Sequence, residues 1–151
     1  MIRAYINQVA YINMGYNTKS LSADYEHSML GHLGMKLIET DCDEVVKASM
    51  PVNELTCQPF GVLCGGASIA LAEVLAGYGS WRLIAEDELP VGAQVSANHV
   101  SSVRAPSVVI AEATILHRGK RTHLWNVDVK TEDGKLVSTA RVLNSIIKVK
   151  A

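Results

Sequence analysis

"GVLCGGASIALAEVLAG", residues Gly61 to Gly77, decides how this chain has to fold. A glycine pair runs into Ala, Leu, Ile and Val residues that are apolar around most of a helical circumference. The segment therefore reads as a helix from about Cys64 to about Trp81, enclosed by other structure rather than laid on a surface. One acid, Glu73, interrupts it. A carboxylate among aliphatic side chains is costly unless it is paired or neutralised. On helical spacing its neighbours are Ile69, Ala70, Ala76 and Gly77, and none can pair with a charge. The plain reading is an exposed stripe or a structural ion pair. Against it stands "CGG", whose glycines leave the N–H groups at the helix start uncovered, a favourable place for an oxyanion or a polarised carbonyl. Bare amides and an acid two to three turns further along make half of an acyl-transfer site.

Around that helix the chain divides simply. "SLSADYEHSMLGHLG" carries Ser and Asp as helix caps, Met29, Leu30 and Leu33 at helical spacing, and a stop at Gly34. "MKLIETD" and "EVVKASMPV" read as two strands joined by a tight turn at Asp41–Asp43. "NELTCQPFG" is a loop. After "EDELPVGAQ" the segments "QVSANHVSSV", "SVVIAEATILH", "THLWNVDVKT" and "KLVSTARVLNSIIKV" are rich in Val, Ile and Thr, and turn signals separate them. Asp133-Gly134 is the strongest hairpin cue. Strands in sequence joined by short turns predict an antiparallel sheet with one face needing cover, and only the long helix is apolar enough to supply it. The expected class is α+β, with the sheet curled around the helix.

Totals bound the function. The chain has 151 residues, 48% of them hydrophobic, which suits one compact domain. Charged residues are 19%, the formal net charge is −1 and aromatics are 5%, so nothing favours nucleic acid or an anionic membrane. No run reaches the roughly 18 apolar residues of a membrane span. Cys42, Cys57 and Cys64 have no CxxC spacing and read as reduced thiols of a cytoplasmic protein. His27, His32, His117 and His123 lack metal-ligand spacing and read as surface or packing histidines. "GASIA" lacks the flanking glycine and upstream strand of a nucleophile elbow, so Ser68 is expected to pack. The N-terminal residues 1–24 make a poor signal peptide and are expected to be a surface extension, with the functional domain at 25–151.

"QPFGVLCGGASIALAEVLAG" (Gln58 to Gly77), "ANHVSSV" (Ala97 to Val103) and "HRGKRTHLWNVDV" (His117 to Val129) together resemble the hotdog-fold acyl-CoA thioesterases. The nearest type is the single-domain hydroxybenzoyl-CoA and dihydroxynaphthoyl-CoA group with a helix-borne glutamate. The resemblance covers roughly Met29 to Ile147. It implies a hotdog fold, and homodimers that hold two active sites at their interface and pair into tetramers. It further implies Glu73 as nucleophile or general base, Gly65 N–H polarising the thioester carbonyl, Gln58 orienting the reacting groups from the partner subunit, and His99 near the acyl ring or water. Cys64, Gly66 and Gly77 would line the acyl site. His117, Arg118, Gly119, Lys120 and Arg121, with Arg104 as a weaker candidate, would meet the CoA phosphates, for which lysine and arginine are suitable charge partners. The plain alternative for "HRGKR" is a solvated hairpin turn.

Two positions depart from the family pattern. Cys64 stands where relatives often carry histidine, and a thiol is a weak donor. Gly77 stands where a serine or threonine often positions water, with Ser80 or Tyr78 as substitutes. The expected activity is hydrolysis of a CoA thioester, aromatic and from the menaquinone pathway on the closest resemblance, without metal or redox cofactor. The alternatives are a non-catalytic acyl-CoA-binding or regulatory hotdog module and, less well supported, a hotdog dehydratase.

Overall fold

The computed structural model describes residues 27–148. The expected N-terminal extension, and the first part of the helix expected in "SLSADYEHSMLGHLG", lie outside the described residues. What remains of that helix is α1, Met29–His32, capped by Ser28, whose Oγ accepts from Gly31 N. It is followed by β1 (Lys36–Ile38), β2 (Val45–Val52), the long helix α2 (Gly65–Leu83), β3 (Glu88–His99), β4 (Ser107–Arg118), β5 (Thr122–Thr131) and β6 (Leu136–Lys148).

All six strands join one antiparallel sheet in the order β1-β2-β4-β5-β6-β3. Sequential pairing holds for β1–β2, β4–β5 and β5–β6. It fails for β3, which pairs with β6 and lies at the opposite end of the sheet from β1. The reason is the helix. Leaving β2, the chain crosses the whole sheet through α2 before it can start β3, and the Val100–Pro106 segment then returns it to β4 beside β2. The result is the hotdog arrangement expected from the sequence. β3 also begins earlier than "QVSANHVSSV" suggested, at Glu88. An outer strand tolerates Pro90, and the register shift between Gly92 and Gln94 is a β-bulge at Ala93.

The core lies between α2 and one sheet face. Alternation puts His123, Trp125, Val127 and Val129 of β5 on that face, with Val109, Ala111 and Ala113 of β4 beside them. From the helix come Ala67, Ser68, Leu71, Ala72, Leu75, Ala76, Gly79 and Ser80. Small residues let the helix sit close: a Cβ at Gly79 would come 2.6 Å from the Trp125 ring. Among the described residues Ala70, Val74 and Tyr78 also pack against the core, half-buried, while Gly66 and Glu73 of α2 are exposed.

A buried polar group holds this seat. Trp125 Nε1 donates to Ser80 Oγ at 2.8 Å; Asn144 Nδ2 donates to the same oxygen at 2.9 Å and to the Ala76 carbonyl at 3.1 Å. At the end of the helix, Arg118 reaches over from β4 and donates to the Leu83 carbonyl at 2.9 Å, which satisfies one of the acceptors a helix terminus leaves open. Asp43, in the β1–β2 connection, pairs with Arg82.

Candidate functional site

The loop between β2 and α2 is built before the site is. Thr56, 1% exposed, donates its hydroxyl to the Pro51 carbonyl at 2.8 Å and accepts from Asn53 N at 3.0 Å. This closes a turn that aims the chain at the helix. Gln58-Pro59-Phe60-Gly61 then makes a tight hairpin: Gly61 N donates to Gln58 O, Gln58 N donates to Val62 O, and Gly61 adopts φ +72°. Proline at the second position and a left-handed glycine at the last are what that turn chemistry asks for. The hairpin holds Gln58 exposed and leaves Phe60 80% exposed at its tip. Val62 bridges to Arg104, so Arg104 is a neighbour of this hairpin and stands apart from the basic turn.

Cys64 is the N-cap of α2 and makes no side-chain capping bond. Helix geometry gives the N–H groups of Gly65 and Gly66 no intrahelical acceptor. Against them, from the far end of β3, lies His99: a Cβ at Gly65 would come 2.7 Å from His99 Nε2. Residue 65 must be glycine for that imidazole to rest there. The start of α2, His99 and the Gln58 hairpin therefore form one end of the molecule.

Glu73 lies two turns along, exposed, on the helix face shared with Gly66 and Ser80. It makes no hydrogen bond or ion pair with any described residue. It is not remote from the sheet, however. A Cβ at Gly92 would lie 2.7 Å from Glu73 Oε1, so the carboxyl group rests on bare backbone beside the β3 bulge. Glu73 sits where α2 passes over the outer strand, and among the described residues no further strand continues the sheet to cover it. Gly77, one turn on, is half-buried, and a Cβ there would meet nothing within 4 Å.

The basic turn is at the other end of the helix. Gly119 N donates to Thr122 O at 2.9 Å, and the exposed His117 ring folds over Gly119. Lys120 and Arg121 are exposed, with no side-chain partner among the described residues. Arg118 caps α2. Within one chain, Gly65 and Glu73 are separated by about 12 Å along the helix axis and Glu73 and Leu83 by about 15 Å. One chain therefore brings together Gly65, His99 and the Gln58 hairpin. It sets Glu73 apart from them and the basic turn further still.

The sequence does not single out Gly92 of "LPVGAQV"; only the pairing of β3 with β6 reveals a bulge under the acid. Ser68 is buried in α2 at 2% exposure, a packing residue as expected. The three cysteines are free, and among the described residues no group of His, Cys, Asp or Glu is arranged to hold a metal. Among the same residues, no helix is long and apolar enough to cross a membrane.

A six-stranded antiparallel sheet with one long helix packed against it is the hotdog architecture of thioester hydrolases. Residues 60–138 match the thioesterase superfamily, and the chain belongs to that family. It is similar to the 1,4-dihydroxy-2-naphthoyl-CoA hydrolase of Escherichia coli, 34% identical over 129 residues that cover 85% of this chain and 93% of that protein. The proofreading thioesterase EntH of Klebsiella pneumoniae is 34% identical over 128 residues, covering 85% and 92%. Among solved structures, a thioesterase of Haemophilus influenzae superposes with a TM-score of 0.80 at 33% identity, covering 88% of this chain and 95% of that one.

Proposed function

We propose that the protein hydrolyses an aromatic acyl-CoA thioester to the free acid and CoA, with Glu73 supplying the attack as nucleophile or as base for water. The observation that carries this is the unpaired Glu73 carboxyl group against Gly92. An acid held without a partner beside backbone rather than side chains is free to act on a bound carbonyl. The aromatic acyl group follows the naphthoyl-CoA hydrolase among the relatives.

Distance argues for a site shared by two chains. An oxyanion donor has to lie about 3 Å from the reacting oxygen, and Gly65 is about 12 Å from Glu73 along its own helix. The carbonyl attacked by one chain's Glu73 would take its hydrogen bond from Gly65 of a second copy. The outer edge of β3, a 12-residue strand unpaired on that side among the described residues, supports side-by-side pairing of two sheets, which would also cover Glu73. On this reading Gln58 and His99 accompany the donating Gly65, Cys64, Gly66 and Gly77 border the acyl group, and dimers pair further into tetramers. Lys120 and Arg121, with His117 and Gly119, take the CoA phosphates. Arg104, beside the Gln58 hairpin, meets the acyl end instead. The chemistry requires no metal or redox cofactor.

Thiol release from benzoyl-CoA, naphthoyl-CoA and fatty acyl-CoA substrates tests the reading. Glu73→Ala and Glu73→Gln are expected to lower kcat by roughly 10²- to 10⁴-fold with an unchanged circular dichroism spectrum. Turnover by Glu73→Ala within about threefold of the unsubstituted protein would show that the acid is not the reactive group.

A further inference from the structure

The face of α2 that carries Glu73 is tracked from below by a single row of paired residues. Gly92 of β3 is opposite Asn144 of β6, Asn144 is opposite His123 of β5, and His123 is opposite Arg118 of β4. Directly paired residues point to the same side of a sheet. Three members of the row touch the helix in order along its length. Gly92 lies under Glu73, Asn144 donates to Ala76 O and Ser80 Oγ, and Arg118 donates to Leu83 O.

What fixes the helix over that row is not hydrophobic burial alone. The covered arc of α2 runs from Ala67 through Leu71, Leu75 and Ala76 to Ser80, and Val74 and Trp81 border it at one margin while Glu73 borders it at the other. Turning the helix so that Ser80 leaves the core would bring in Val74 and Trp81, apolar for apolar, whereas the opposite sense would drive the Glu73 carboxylate toward the sheet, so burial restrains only one sense of rotation. The directional contacts discriminate strongly. Ser80 is fully buried, Asn144 is 1% exposed, and rotation would strand both polar groups in the core, with a desolvation cost that a rearranged apolar contact does not carry.

We propose that Asn144 and Ser80 are positioning residues for catalysis: by hydrogen-bonding α2 to β6 they set the rotation and register of the helix, and so hold the Glu73 carboxyl group over Gly92. The inference rests on Glu73 being the reactive acid. Ser80 is two turns from Glu73 on the same helix face, and Asn144 is the cross-strand neighbour of Gly92. A slip at the bonded end is thus transmitted to the acid through one rigid helix and one strand pair. A rotation that moves the carboxyl group by about 1 Å is enough to cost on the order of a hundredfold in rate.

Asn144→Leu and Ser80→Ala are read against a stability control. Leucine removes the amide but leaves Ser80 Oγ bonded to Trp125 Nε1, so only a small loss of stability is expected, whereas Ser80→Ala strands the buried Trp125 Nε1 and loses more. Val109→Ala, a core cavity in β4 away from the row, supplies the control, lower stability with the row intact. Steady-state kinetics well below each melting temperature are expected to show kcat reduced about tenfold or more in Asn144→Leu and Ser80→Ala, with KM within about threefold. Val109→Ala should keep its kcat. If Glu73→Ala is inactive while Asn144→Leu keeps wild-type kcat, or loses no more than Val109→Ala does, the positioning role is wrong and the acid's role stands. If Glu73→Ala retains turnover, or the unsubstituted protein has none, the role of the acid fails and the positioning role fails with it.

Discussion

The two ends of α2 are built on opposite principles. At its C-terminal half the polar groups that touch the helix are bonded, His123 Nδ1 beneath it excepted: Ser80 accepts from both Trp125 and Asn144, Asn144 also bonds Ala76 O, and Arg118 closes Leu83 O. At its N-terminal half the polar groups are left without partners. Cys64 offers no cap, the glycine amides have no acceptor, and Glu73 has neither donor nor counter-charge among the described residues. Glycine serves both ends differently. Gly79 lets the Trp125 ring fit under the helix, whereas Gly65 and Gly92 bring His99 and Glu73 against bare backbone. Satisfied bonds concentrate at one end of the helix and open polar groups at the other.

The largest effect should come from crowding the unpartnered end. In Gly92→Ala the new methyl group meets only the far end of the flexible Glu73 side chain, so the carboxyl group moves while the fold stays. kcat is expected to fall by about a hundredfold, with a melting temperature close to that of the unsubstituted protein. A Gly92→Ala protein with full activity would mean that contact with β3 does not set the acid's position.

Crowding the satisfied end should do the reverse. Gly79→Ala drives a methyl group into the rigid, buried Trp125 ring, and a loss of about 1–3 kcal/mol is expected in denaturant unfolding, although alanine is the better helix former. Unchanged or increased stability would show that the helix can lift without cost.

The smallest effect sharpens the same contrast through pH. His123 is 3% exposed beneath the last turns of α2, and its Nδ1 has no hydrogen-bond partner. Burial, and then the neighbouring Arg118 guanidinium and His117, hold its pKa below the ordinary histidine value, with Glu88 opposing. The unfolded chain therefore takes up the proton first as pH falls. Stability conferred by the neutral folded ring is complete above about pH 6.5 and declines as pH falls through that value toward the folded pKa. His123→Phe should flatten this slope in thermal melts between pH 7.5 and about pH 5.5. An equal slope in both proteins would assign the effect to other groups.

Most of the fold was legible because its elements are long and differently patterned. Alternation of Trp125, Val127 and Val129 marked β5 at Thr122–Thr131, and the apolar run marked α2 to within two residues at either end. Which strand pairs with β3 was not legible. Local turn signals report neighbours in sequence, whereas β3 is placed by a helix that carries the chain across the entire sheet. The same limit explains the site. Glu73, Gly65, Gln58 and His99 stand out as residue types in a motif, but Gly92 acquires a role only once β3 is paired and bulged. The exposure of Glu73 matches one of the two plain readings of its helix, an exposed stripe, but the apolar pattern does not choose between them, since it is silent about which side the sheet leaves open.

The Trp125 indole is fully buried and hydrogen-bonded to Ser80, whereas Trp81 is half-buried. The two fluorophores thus occupy unlike surroundings on either side of the same helix. A water-borne quencher would reach one and spare the other, so the protected fraction of emission is an optical gauge of whether the helix is seated, readable in solution without a label.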